Sequence, residues 1–118
     1  MGGLESQNFA SPDETRTFDK GEIAVITLGG ATVGRATFQP GWRWSECVKP
    51  LVGTDSCEAA HLGYVVSGRM HVEMDDGTAA DAGPGDLFNI APGHDAWIVG
   101  GEPCVVVDFE GASNYAKH

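Results

Sequence analysis

The chain has 118 residues, one domain's length, and 42% of its side chains are hydrophobic, enough for a single modest core without disulfide or metal staples. Its formal net charge of −10, from 17 acidic and 7 basic side chains, disfavours both nucleic-acid phosphates and an anionic membrane surface as partners. Cys47, Cys57 and Cys104 form no Cys-x-x-Cys pair, which argues against a zinc knuckle or dithiol motif and fits free thiols in a reducing cytoplasm.

No apolar run is long enough to span a bilayer, and the N-terminus lacks a secretory pattern. Met1-Gly2 with Ser6 meets the minimal myristoylation pattern, one short enough for chance to supply. The 17 glycines and 6 prolines cluster between short runs. No segment sustains apolar residues at helical spacing, so the chain reads as all-β.

Residues 1–15 read as a flexible N-terminal segment. Within it, Ser11-Pro12-Asp13-Glu14 predicts a helix start or a bend. Residues 22–28 and 31–38 read as strands around a Gly29-Gly30 turn, with Pro40-Gly41 as the stop. Residues 42–47 alternate, placing Trp42, Trp44 and Glu46 on one face and Arg43, Ser45 and Cys47 on the other. A loop rich in turn formers follows, over 49–56.

The run from His61 to Met74 is two strands broken at Ser67-Gly68 and closed by Asp75-Asp76-Gly77. Residues 82–86 read as a turn, 87–90 as a strand and 91–93 as another turn. Strands are predicted at 96–99 and 104–109, and residues 112–118 form a polar tail. About eight to ten strands at hairpin spacing leave no room for crossover helices. An antiparallel sandwich or closed barrel over 16–111 is expected.

The strand, the Ser67-Gly68 turn, the next strand and then Gly85-Asp86-Leu87-Phe88-Asn89-Ile90-Ala91-Pro92-Gly93-His94 resemble the cupin family over roughly residues 35–109. The resemblance implies a double-stranded β-helix, the small jelly-roll barrel. The family's first block reads Gly-x5-His-x-His followed by Glu-x6-Gly. Its second reads Gly-x5-Pro-x-Gly-x2-His-x3-Asn. The His and Glu side chains of these blocks hold one divalent metal inside the barrel.

Here Gly41, Gly68, Gly85 and Gly93 fit the framework glycines. The ligand positions hold Cys47, Lys49, His61 and Ala96 instead, while Ala91 replaces the Pro and Gly100 the Asn. His94 lies two residues before Ala96, with the same strand parity, so it can point inward. The reduced metal set implied is Cys47, His61 and His94, suited to zinc, iron, nickel, manganese or copper. A register that uses Asp55 and Cys57 as the paired positions ranks second, because it loses the match at Gly41.

His61 shares parity with Gly63 and Val65, the expected interior face, where the competing reading is a core histidine bonded to a carbonyl. His71 shares parity with Arg69 and Glu73, a solvated face, and His118 is terminal. Tyr64, Phe88, Trp97 and Lys49 are the candidate ligand-binding residues, although a Lys before Pro50 is more often solvated. Trp42 and Trp44 are expected to pack or to form an interface, since Cys47 falls on the other face. Asp95 is a candidate to orient His94, and Asp75, Asp76 and Asp81 read as turn residues.

The resemblance implies a small molecule bound inside the barrel through a divalent metal. Dioxygenation, isomerisation or epimerisation would be the reaction, if there is one. A metal-free ligand-binding or sensor module is the alternative. Relatives of this kind are commonly homodimers.

Overall fold

The computed structural model describes residues 3–110. The polar tail 112–118, with His118, and residues 1–2 of the myristoylation pattern lie outside the described residues.

Nine strands run in chain order: β1 (Glu14–Phe18), β2 (Gly21–Leu28), β3 (Ala31–Phe38), β4 (His61–Ser67), β5 (Met70–Met74), β6 (Ala79–Ala82), β7 (Leu87–Ile90), β8 (His94–Ile98) and β9 (Cys104–Asp108). Two helical turns, α1 (Trp44–Cys47) and α2 (Lys49–Val52), sit between β3 and β4. One sheet has the order β1-β2-β3-β9-β4-β7 and the other β6-β5-β8. All pairings are antiparallel.

The two sheets are not closed into one barrel by backbone pairing. β7 ends one sheet and β6 the other, and a groove of about 540 Å³ runs between them, with Met74, Ala80, Leu87 and Ile90 among its walls. Two single bridges, Arg43 to Trp97 and Cys57 to His94, tie the β3–β4 connection to β8.

Period-two burial builds the core, because alternate side chains of a strand face opposite ways. β4 buries His61, Gly63 and Val65; β8 buries His94, Ala96 and Ile98; β9 buries Cys104, Val106 and Asp108. Two glycines have a steric reason. A Cβ at Gly63 would stand 2.5 Å from the Phe88 ring, so glycine lets that ring lie across β4. Gly68 has φ +77, and its Cβ would meet Pro103 O at 2.4 Å, which makes glycine the residue for the β4–β5 reversal.

At Ser11 the chain makes the bend, one of the two alternatives expected there, and no helix starts. The Asp13 carboxylate accepts the Thr27 N–H at 2.8 Å and the Asp13 N–H donates to Val25 O at 3.0 Å, which leads the chain into β1. Residues 42–47 are not a strand. Trp44, Cys47 and Val48 are buried, and their spacing at i, i+3 and i+4 is helical. The Asp95 carboxylate accepts the Ser45 N–H at 3.1 Å at the start of that turn. Asp81 lies in β6, not in a turn, opposite His71.

Candidate metal centre

β4 and β8 point His61 and His94 into the space between the sheets, with ring centroids 5.4 Å apart. His61 is 7% exposed and His94 4%. The third member is Cys57, from the loop before β4. Its N–H donates to His94 O at 2.8 Å, and its carbonyl accepts the Gly93 N–H at 2.7 Å. Those two bonds fasten the thiol beside His94. One donor atom from each of Cys57, His61 and His94 lies within 4.8 Å of the others, and Cys57 Sγ is 3.7 Å from His61 Nε2.

The second ring nitrogens are fixed by acceptors. His61 Nδ1 donates to Asp108 Oδ2 at 2.5 Å, and His94 Nδ1 donates to Ala91 O at 2.9 Å. With Nδ1 of each ring held by an acceptor, Nε2 is the nitrogen each ring can offer to a metal, once that nitrogen carries no proton. Outer-shell carboxylates and carbonyls commonly hold metal-binding imidazoles in this way. One sulfur and two nitrogens are a borderline-soft set. The residues therefore fit a divalent transition metal on donor chemistry, ring orientation and proximity.

In the metal-free site the electrostatics pair a cationic His61 with an ionised Cys57, so a metal would displace the proton at His61 Nε2. Burial pushes the Cys57 thiol up, but hydrogen bonds from His61 and His94 outweigh it and bring the group down to about 6. Burial pulls His61 down, and the Asp108 and Cys57 hydrogen bonds more than reverse that, raising it to about 9. The other two thiols move in the opposite direction. Burial raises Cys104 to about 11. Burial raises Cys47 as well, with the Asp19 carboxylate contributing. Cys57 is thus the readily ionised sulfur.

Beside the cluster lies a cavity of about 40 Å³, shared by Cys57, His61, His94 and Asp108 with apolar walls that include Phe38, Trp42, Trp44, Met70 and Phe88. No family model matches the sequence, and no curated protein matches it. Solved structures do. The polyketide cyclase RemF from Streptomyces resistomycificus matches 91% of this chain with 78% of its own, at TM-score 0.64 and 15% identity. The oxalate decarboxylase from Lactobacillus farciminis, in a formate complex, matches 95% of this chain at TM-score 0.62 and 16% identity. The 11S allergen from Cocos nucifera matches 91% at TM-score 0.61 and 18% identity. This chain spans 35% and 34% of those last two proteins' lengths. The fold is cupin-like.

Within the cupin-like sandwich, the residues singled out from sequence fall in different places. His61 and His94 meet. Cys47 does not join them: its Sγ is 3.7 Å from Asp19 Oδ2, because the helical turn α1 carries it off the line a strand would have followed. Cys57 of the second-ranked register stands with the imidazoles instead. Phe88 lines the cavity.

Tyr64 has the opposite parity to His61 and is 39% exposed on the outer face. Trp97 also faces outward, 4.5 Å from the His71 ring and 4.3 Å under the Arg43 guanidinium. Lys49 starts α2 and lies 4.0 Å from Asp55. Asp95 bonds Arg43 Nε at 3.0 Å and so is turned away from His94. Trp42 and Trp44, expected to pack or to form an interface, are buried in the core and form part of the cavity wall.

Asp108 is the functional candidate that the sequence reading missed. It ends an apolar strand at an inward-facing position, and a lone acid at such a position is the available signal.

Proposed function

We propose that this chain is a small metal-binding protein that takes a small molecule into its apolar cavity. Cys57, His61 and His94 would hold the ion, and Asp108 would keep His61 in the ligating tautomer. The convergence of those three donor atoms, with both outer nitrogens already occupied, carries the reading. A bound divalent ion would supply Lewis-acid polarisation of a small molecule at the open coordination position. Phe88 and Ile90 line both the cavity and the groove between β6 and β7, so access runs past these two side chains. The free cysteines and the absence, among the described residues, of a helix able to cross a membrane agree with work in a reducing cytoplasm.

Cobalt titration tests the proposal. One equivalent is expected to bind, with a thiolate-to-metal absorption band that a chelator abolishes, and the ion is expected to protect Cys57 from alkylation. A metal-free binding module is favoured by one observation: Cys57, His61 and Asp108 form a hydrogen-bonded line of their own. Absence of the band, with thermal stabilisation by small ligands that ignores chelator, would establish that alternative.

The partner is a second copy of this chain. On the outer face, Tyr64 lies between Leu87 of β7 and Val107 of β9. Leu62 and Val66 flank it along β4, and Leu62, Tyr64, Val66 and Leu87 are all exposed. This uncharged patch on a chain of net charge −10 is the surface a self-complementary interface would cover. Sedimentation is expected to show a dimer that Tyr64→Lys converts to monomer.

A further inference from the structure

The groove between the two sheets ends at the metal cluster. β5 and β6 turn Val72, Met74, Ala80 and Ala82 toward it, and β7 turns Phe88 and Ile90. Two of these side chains are cross-strand neighbours of the cluster imidazoles: Ile90 stands opposite His61, and Met74 opposite His94. Directly opposed side chains share a face, with Cβ atoms roughly 4.5–5.5 Å apart. Phe88 and Ile90 also line the cavity that holds Cys57, His61 and His94. Groove and cavity are therefore one continuous space, with the candidate ligands at its inner end.

Length, volume and charge limit the occupant. β6 and β7 have four residues each, so the groove is about 13 Å long at roughly 3.3 Å per residue. Its volume of about 540 Å³ falls within the roughly 300–1,000 Å³ of small-molecule sites. The walls are mostly apolar. The charged side chains among them are Asp81 and Asp86, which already accept from His71 Nδ1 and from the Gly83 N–H respectively. No lysine or arginine among the described residues lines the groove, so an anion finds no countercharge there. The cluster supplies none either. Resting on the metal reading, a divalent ion, the Cys57 thiolate, two neutral imidazoles and the Asp108 carboxylate sum to zero. A charged head group would leave that buried centre unbalanced, and burying an unpaired charge is costly.

We propose that groove and cluster form one site for an uncharged, elongated amphiphile such as a medium-chain alcohol. Its oxygen completes the metal's coordination beside His61 and His94, and its apolar chain lies along the groove between β6 and β7.

The test uses the cobalt-loaded full chain and straight-chain alcohols, followed by the visible spectrum of the ion. Octanol is expected to shift the cobalt bands, and affinity is expected to rise about two- to fourfold per methylene from ethanol to octanol, the effect of burying each one. Octanoate and octylammonium bring a charge to the buried centre and are expected to bind weaker than octanol by roughly tenfold or more. Ala80→Phe fills the groove from an exposed position on the edge strand β6. When cobalt-loaded, it is expected to bind octanol roughly tenfold more weakly than the wild type, the equivalent of two displaced methylenes.

Should Ala80→Phe not fold, the wild-type series still decides. Cobalt binding with bands unmoved by every alcohol overturns the inference and leaves the metal reading standing. So does affinity that stays flat from ethanol to octanol, or octanoate or octylammonium binding as tightly as octanol. Wild-type octanol affinity in a folded, cobalt-loaded Ala80→Phe also overturns it. Failure to bind cobalt at all overturns the metal reading, and the inference with it.

Discussion

His94→Ala and Cys57→Ser each lose tight cobalt and zinc binding, while Cys47→Ser binds as well as the unaltered chain. Each of the first two removes one of the three donors that, among the described residues, lie within 4.8 Å of one another. Losing an outer hydrogen-bond partner of a ligand typically costs about 10–100-fold in metal affinity, and losing a ligand costs more. His94 is the better imidazole to remove, since its Nδ1 is bonded only to a backbone carbonyl. Removing His61 would also strand the buried Asp108. Competition against a chromophoric chelator measures the affinity, and near-ultraviolet dichroism checks that the core is intact. Cys57→Ser should abolish the thiolate band, whereas Cys47 lies against Asp19 and has no part in it. Loss of the band in Cys47→Ser with retention in Cys57→Ser would reverse the assignment.

The two sulfurs show how far the sequence could be read. β3 and β7 match their predicted spans to the residue, and the spans of β2, β4, β8 and β9 differ from the prediction by at most two residues at either end. Alternation with turn glycines is a local signal, and a buried strand declares it. β1 and β6 carry weaker patterns. β1, Glu-Thr-Arg-Thr-Phe, buries an arginine at its centre. β6, Ala-Ala-Asp-Ala, is mostly exposed and exists through its pairing with β5.

The site was half legible for the same reason. His61 and His94 sit on strands whose parity sets their direction. Cys57 sits in an irregular loop, where no period applies and direction comes from the bridge to His94. Aligning the framework at Gly41 assumed an extended path through 42–47. The chain instead makes a helical turn there, and that turn removes Cys47 from the centre.

Asp108→Ala is expected to destabilise the metal-free protein strongly. Asp108 is 6% exposed; its Oδ2 accepts from His61 Nδ1 at 2.5 Å and its Oδ1 from the Glu110 N–H at 3.0 Å. Removing one partner of a buried pair leaves the other uncompensated, at a cost of about 3–5 kcal/mol. For a domain of this size, that lowers the melting temperature by roughly 10 °C or more. Asp108→Asn separates support from folding. Its amide oxygen can still accept from His61, but its amide nitrogen then faces the Glu110 N–H, donor against donor, so one hydrogen bond is lost at about 1–3 kcal/mol. Because that orientation keeps the proton on Nδ1, Asp108→Asn should retain most of the zinc affinity. Asp108→Ala should lose about 10–100-fold even at temperatures where it is folded. Scanning calorimetry of the metal-free variants and chelator competition of the loaded ones give the two readouts. Equal zinc affinity across the wild type and both variants would mean that Asp108 supports only the fold and does not position His61.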